Sequence, residues 1–79
     1  MGTKELRESF NAAASPAATC TKASLTYERP DGKEVTLLTF EGTKADGTAF
    51  SIRSEPIPPK GSVEIAVRVT AQRLLEQQK

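Results

Sequence analysis

The segment from Ala23 to Ser54 most constrains the fold, because three runs of alternating apolar and polar residues are separated there by two Asp-Gly pairs. Alternation with a period of two is typical of β-strands that bury one face. Asp-Gly favours tight turns, since glycine adopts positive φ readily and aspartate bonds to nearby backbone groups. The segment therefore predicts a three-stranded antiparallel meander.

The first turn also predicts a register. If Asp31 and Gly32 (31–32) form a two-residue turn, Leu25 falls opposite Leu38. Ala23 then falls opposite Phe40, so apolar side chains meet across the first two strands, which we expect at about 21–28 and 34–43.

The second turn predicts a three-residue loop over 45–47, with its glycine in the left-handed conformation. This loop pairs Phe40 with Ile52 and sets Gly42 opposite Phe50. An aromatic ring over a strand glycine compensates for that weak position. A two-residue turn would instead place Phe50 and Ile52 on the face of Leu37.

These registers divide the sheet into two faces. We expect the core face to carry Ala23, Leu25, Tyr27, Leu38, Phe40, Phe50 and Ile52. The rear face is mostly hydroxyl-bearing, and an antiparallel sheet can leave such a face to solvent; it carries Ser24, Thr26, Thr39, Ser51, Arg53, Val35 and Leu37. Val35, Leu37 and Arg53 are the candidate protein interface on this face.

A helical pattern precedes the meander. Leu6 and Phe10 recur at helical spacing, Thr3 is a candidate N-cap, and Pro16 predicts an end at about residue 15. We expect residues 14–19 to be a linker.

A second helical pattern follows a proline-rich loop, with Ser62 as N-cap and an end at about residue 78. Residues 63–70 also alternate like a strand, and their β-branched residues favour strands, so a fourth strand with a short terminal helix is the alternative. We favour the helix, because no Gly or Pro separates Thr70 from the helical residues after it. We expect Ile65 and Val69 to be covered by the first helix.

The sequence thus predicts one α+β domain over 1–79, with the order αβββα and both helices on one face of the sheet. The apolar fraction of 37% and the charged fraction of 27% are those of a soluble globular protein. No apolar run approaches the ~20 residues that span a bilayer. The first residues lack the apolar core of a signal peptide, so we expect a cytoplasmic protein.

Few residues offer chemistry. The chain has no histidine and a single cysteine, Cys20, for which we expect a buried role as a small apolar residue. Asp31 and Asp46 lie in turns, where local hydrogen bonds explain them. The sequence contains neither a zinc-site spacing nor a phosphate-binding glycine loop. We therefore expect neither an enzyme nor a cofactor or metal site.

The order of one helix, three antiparallel strands and a second helix resembles that of the double-stranded RNA-binding domain over about residues 3–78. The resemblance is one of layout, since Arg-Pro-Asp-Gly-Lys at 29–33 stands in place of the family's Gly-Pro-x-His signature. It implies that the first interstrand loop and the start of the last helix face phosphate groups together. The candidate contacts are Lys33, Lys60, Gly61 and Ser62.

Two functions follow as hypotheses. The first is a weak nucleic-acid-binding module, although the net charge of +1 gives little of the sequence-independent attraction on which such binding depends. The second is a protein-interaction or homodimerisation module that uses the exposed sheet face or an unpaired edge strand.

Overall fold

The computed structural model describes residues 2–77. Its elements, in chain order, are α1 (Thr3–Ala14), β1 (Ala18–Glu28), β2 (Val35–Lys44), β3 (Ala49–Arg53) and α2 (Val63–Gln77). The strands form an antiparallel sheet in the order β1-β2-β3, and both helices contribute to one core on one face of it. The predicted αβββα architecture is confirmed, and the alternative strand over 63–70 is wrong because those residues belong to α2.

Both predicted registers are found. Ala23 pairs with Phe40, and Phe40 pairs in turn with Ile52. The three-residue loop at 45–47 also forms, and its Gly47 has a φ of 89°. The first hairpin differs in its turn, since the strands separate after the pair of Glu28 with Val35 and leave residues 29–34 as a longer loop.

The first strand begins earlier than expected. β1 starts at Ala18, so the predicted linker over 14–19 is a short turn, containing a cis bond before Pro16, followed by strand. A β-bulge between Cys20 and Lys22 leaves Thr21 without a paired residue on β2 in the strand register. An extra residue of this kind interrupts the alternation of side chains between the two faces. The pattern that predicts the later part of β1 therefore does not extend to the residues before the bulge.

The core is centred on a stack of three aromatic rings. The Phe10 ring of α1 lies 4.5 Å from that of Phe40 and 5.9 Å from that of Phe50, measured between ring centroids. Around them pack the other members of the core, which are Leu6, Ala14, Ala18, Cys20, Ala23, Leu38, Ile52, Ile57, Val67, Ala71 and Leu74. The meander therefore meets both helices in one apolar layer.

The expectation that Tyr27 lies in the core is wrong, because Tyr27 is 69% exposed. The reason is the difference in length between α1 and β1. The 12 residues of α1 span about 18 Å at a helical rise, whereas the 11 residues of β1 span about 36 Å. The helix covers only part of the strand, and Tyr27 lies near its uncovered end.

The helix termini confirm one predicted cap and correct another. Ser62 Oγ accepts a hydrogen bond from the Ile65 N–H at 3.3 Å, as expected of an N-cap. At α1 the N-cap is Gly2, with no side-chain cap bond, and Thr3 is already helical.

Ile65 and Val69 correct a further expectation, because they are 59% and 43% exposed rather than covered by α1. A helix turns about 100° per residue, so both lie roughly 160° around α2 from the buried Val67. The side of α2 that faces α1 carries Glu64, Val67 and Arg68. Ile65 and Val69 therefore point away from α1.

The side chain of Asn11 joins α1 to the edge of the sheet. Its Oδ1 accepts a hydrogen bond from the Cys20 N–H at 2.6 Å, and its Nδ2 donates to the Cys20 carbonyl oxygen at 3.2 Å. Cys20 is buried as predicted, its Sγ donates to the Lys22 carbonyl at 3.2 Å, and burial raises the pKa of its thiol. A buried thiol of raised pKa is a poor nucleophile.

Asn11→Ala is expected to lower the free energy of unfolding by about 2 kcal/mol, because two backbone groups of Cys20 lose their partner in a partly buried position. Urea denaturation measures the difference. The matched control is Gln72→Ala, an exposed amide on α2 whose loss should change stability by less than about 0.5 kcal/mol. Equal stability of the two variants would contradict a structural role for Asn11.

Candidate functional site

The segment after β3 is held beside the start of β2. The Thr36 N–H donates to the Ile57 carbonyl at 3.0 Å, and the Ile57 N–H donates to the Thr36 carbonyl at 2.8 Å. The loop 29–34 and the start of α2 consequently lie at the same end of the sheet. The side chain of Lys33 and residues 60–62 are exposed there.

Exposed acidic residues outnumber exposed basic residues at this end of the sheet. Its exposed basic residues are Arg29, Lys33 and Lys60, and its exposed acidic residues are Glu28, Asp31, Glu34, Glu55 and Glu64. Binding to a phosphate backbone depends on an excess of Lys and Arg. The candidate nucleic-acid contacts Lys33, Lys60, Gly61 and Ser62 thus share one end of the molecule but lie among more negative than positive charges.

The rear face of the sheet does not present the apolar spot expected of a protein interface. Leu37 was expected to be accessible to a protein partner, and this expectation is wrong, because Leu37 is only 6% exposed. It lies on the central strand, between Thr26 of β1 and the segment after β3, and this neighbouring chain shields it on both sides. Val35 is half-buried, and of the three candidates Arg53 is the exposed one.

An apolar groove lies instead between residues 55–58 and the exposed side of α2. It encloses about 200 Å³ and is open to solvent. Ile57 forms part of its buried lining, and Ile65 and Val69 form the α2 wall. Facing that wall are Pro56 and Pro58, whose side chains are apolar and exposed.

The prediction missed this groove because it assigned Ile65 and Val69 to a contact with α1. A signal was nevertheless present in the sequence. On a helical projection, the two residues lie about 40° apart and nearly opposite Val67, so one helix face cannot bury all three. The proline-rich loop gave no indication that it would lie beside them.

The hydrogen bonds of Asp46 stabilise a turn. Asp46 Oδ1 accepts hydrogen bonds from the Thr48 N–H at 3.0 Å and the Thr48 hydroxyl at 2.6 Å, and these bonds lower the pKa of the Asp46 carboxyl. The carboxylate thereby closes the loop between β2 and β3. Within residues 2–77, no group of three His, Cys, Asp or Glu side chains is placed to hold a metal ion.

No helix in the described part of the chain is long and apolar enough to cross a membrane. Comparisons with models of known protein families, with curated proteins and with solved structures gave no significant match.

Proposed function

We propose that this domain is a non-catalytic protein-binding module whose contact surface is the groove between α2 and residues 55–58. The observation that supports this is the exposure of Ile65 and Val69, at 59% and 43%, on a helix whose other side already fills the core. Neither side chain stabilises the core, and β-branched residues lower helix propensity slightly. Apolar side chains clustered beside exposed prolines are typical of interaction sites.

The dimensions of the groove favour a protein over a small molecule. Its volume of about 200 Å³ is below the range of roughly 300–1,000 Å³ common for small-ligand pockets. It is also open to solvent, and most of its lining residues are apolar. A helix or strand of another protein can cover such a surface and remove it from water.

Weak nucleic-acid binding is the second candidate, and one observation favours it. The hydrogen bonds between Thr36 and Ile57 bring the loop that contains Lys33 to the same end as Lys60 and the N-terminus of α2. Free backbone amides at a helix N-terminus attract phosphate. The excess of acidic residues around them opposes this function, so we place it second.

Site-specific photo-crosslinking in the source cells distinguishes the two candidates. A benzophenone amino acid at position 65 or 69 is expected to yield covalent adducts with protein. The matched control is position 27. Tyr27 is also a large exposed side chain, at 69%, but it lies on β1, at the other edge of the sheet. Few or no adducts are expected there.

Two further measurements complete the test. The adducts at 65 and 69 should persist after nuclease treatment and in a Lys33→Glu, Lys60→Glu double variant. Adducts of equal yield at 27 and 65 would contradict the proposed surface. Duplex RNA binding at low salt that the double variant abolishes would establish the second candidate instead.

A further inference from the structure

We infer that the groove binds an amphipathic helix of another protein, and that this helix carries a lysine or arginine beside its apolar stripe. The inference rests on the proposed protein-binding function and specifies the chemistry of the partner. It follows from the backbone hydrogen bonds of the two groove walls and from the charge of the side chains beside them.

The proline-containing wall of the groove has no N–H with which to pair an added strand. Pro56 and Pro58 lack a backbone N–H, and the N–H and carbonyl of Ile57 are both bonded to Thr36. An extended peptide that adds to a sheet gains its affinity from main-chain hydrogen bonds. Residues 56–58 offer such a peptide no donor, so the partner must bind this wall through its side chains.

The opposite wall is the surface of a helix. Beyond its first turn a helix satisfies its own N–H groups. At the start of α2, the Ile65 N–H is bonded to Ser62 Oγ and the Ala66 N–H to the Ser62 carbonyl. A partner buried between these walls must therefore satisfy its own backbone groups, which an α-helix does and a single extended strand does not.

The apolar side chains of α2 have a spacing that a second helix matches. Ile65 and Val69 lie four residues apart, which is about 6 Å along the axis at a helical rise. Residues i and i+4 of a partner helix have the same separation. A row of such apolar side chains can therefore lie in the groove, between α2 and the exposed rings of Pro56 and Pro58.

Glu55 determines which charge the partner carries. Among the described residues that line the groove, Glu55 alone has a charged side chain. A helix that covers the groove removes water from this exposed carboxylate, and a charge left unpaired in a contact costs free energy. A lysine or arginine beside the apolar stripe pairs with the carboxylate. An aspartate or glutamate there would meet a like charge.

The charges around the groove act in the same direction as Glu55. The groove lies at the end of the sheet where exposed acidic residues outnumber basic ones. This excess attracts a basic segment over a distance, and salt screens the attraction. Binding should therefore weaken as the salt concentration rises.

Selection from a phage-displayed library of amphipathic helices gives the first test. Each helix has a fixed leucine stripe, and the positions that flank the stripe are randomised. Helices that bind the wild-type protein should carry Lys or Arg at these positions in preference to Asp or Glu, and selection on Glu55→Lys should reverse the preference. The control Glu8→Lys makes the same change of charge at an exposed position on α1 and should keep the wild-type preference.

Fluorescence anisotropy with one selected basic helix measures the contribution of single residues. Glu55→Gln should weaken binding about tenfold, which is at the lower end for close charge pairs at interfaces. Ile65→Glu should weaken it by more than about tenfold, because it places a charge in the apolar wall. The control Tyr27→Glu alters another exposed side chain and should bind like the wild type. Circular dichroism shows that each variant is folded.

Selected helices without a basic preference would overturn the inference, as would an unchanged preference on Glu55→Lys or a library from which no helix binds. Mass spectrometry of the adducts at positions 65 and 69 identifies the crosslinked segment, which should have apolar residues at helical spacing and a Lys or Arg beside them. Adducts to an acidic segment, or to a second copy of this chain, would overturn the inference and leave the proposed function standing. Loss of the adducts would remove both.

Discussion

Phe10→Ala is expected to lower the free energy of unfolding by about 3–5 kcal/mol, the usual cost of removing a buried aromatic ring. Phe10 is fully buried and its ring stacks on both Phe40 and Phe50, so its loss leaves a cavity at the junction of α1 with two strands. A domain of this length has a total stability of roughly 4–12 kcal/mol. The variant should therefore lose at least about a quarter of the total stability.

Thermal and urea denaturation followed by circular dichroism measure this effect. Tyr27→Ala is the matched control, because it removes an aromatic ring that is 69% exposed and should cost less than about 0.5 kcal/mol. If the two variants lost equal stability, the three-ring stack would not be the centre of the core.

Gly42→Ala is expected to lower the free energy of unfolding by about 3 kcal/mol, at the upper end of the usual cost of overpacking. A Cβ at this position would lie 2.9 Å from the Cys20 Cα and closer still to the Thr19 carbonyl oxygen. Both obstacles are backbone atoms, so a rotamer change relieves neither. The bulge at Thr21 lies beside this close approach, and a strand glycine often marks such a site.

The matched control for this variant is Gly2→Ala, where an added Cβ meets no atom within 4 Å. Because Gly2 is the N-cap of α1 and alanine is a poorer N-cap than glycine, this variant should lose stability, but less than about 1 kcal/mol. Denaturation curves for the three proteins measure the difference. A Gly42→Ala protein of wild-type stability would contradict the close contact between β1 and β2.

The register of the sheet was predictable because the side-chain faces distinguish the possible turns. Of the two loop lengths considered for the second turn, the three-residue loop is the one that sets Phe40 opposite Ile52, since a shift of one residue reverses every side chain. The bulge at Thr21 was not predictable, since no alternating pattern marks one extra residue. The exposure of Tyr27 followed from the relative lengths of α1 and β1, which the sequence pattern of one element does not contain.

The candidate site was less predictable than the fold. Lys33 and Lys60 were placed at one end of the sheet by the assumed layout, and the structure puts them there, but their acidic neighbours come from separate loops. Leu37 was expected on an open face, whereas the course of the chain after Ser54 shields it. The helical projection separates Ile65 and Val69 from Val67, but whether α1 covers them depends on where α1 crosses α2. That crossing is set by tertiary packing.

The Asn11 side chain also determines how precisely α1 is positioned on the sheet. Apolar contacts between a helix and a sheet resist separation more than they resist sliding or rolling, since neighbouring positions bury similar areas. The hydrogen bonds from Asn11 to the backbone of Cys20 have fixed directions, so they set both the axial position and the rotation of α1. One amide thereby holds Phe10 at the height where its ring meets both Phe40 and Phe50.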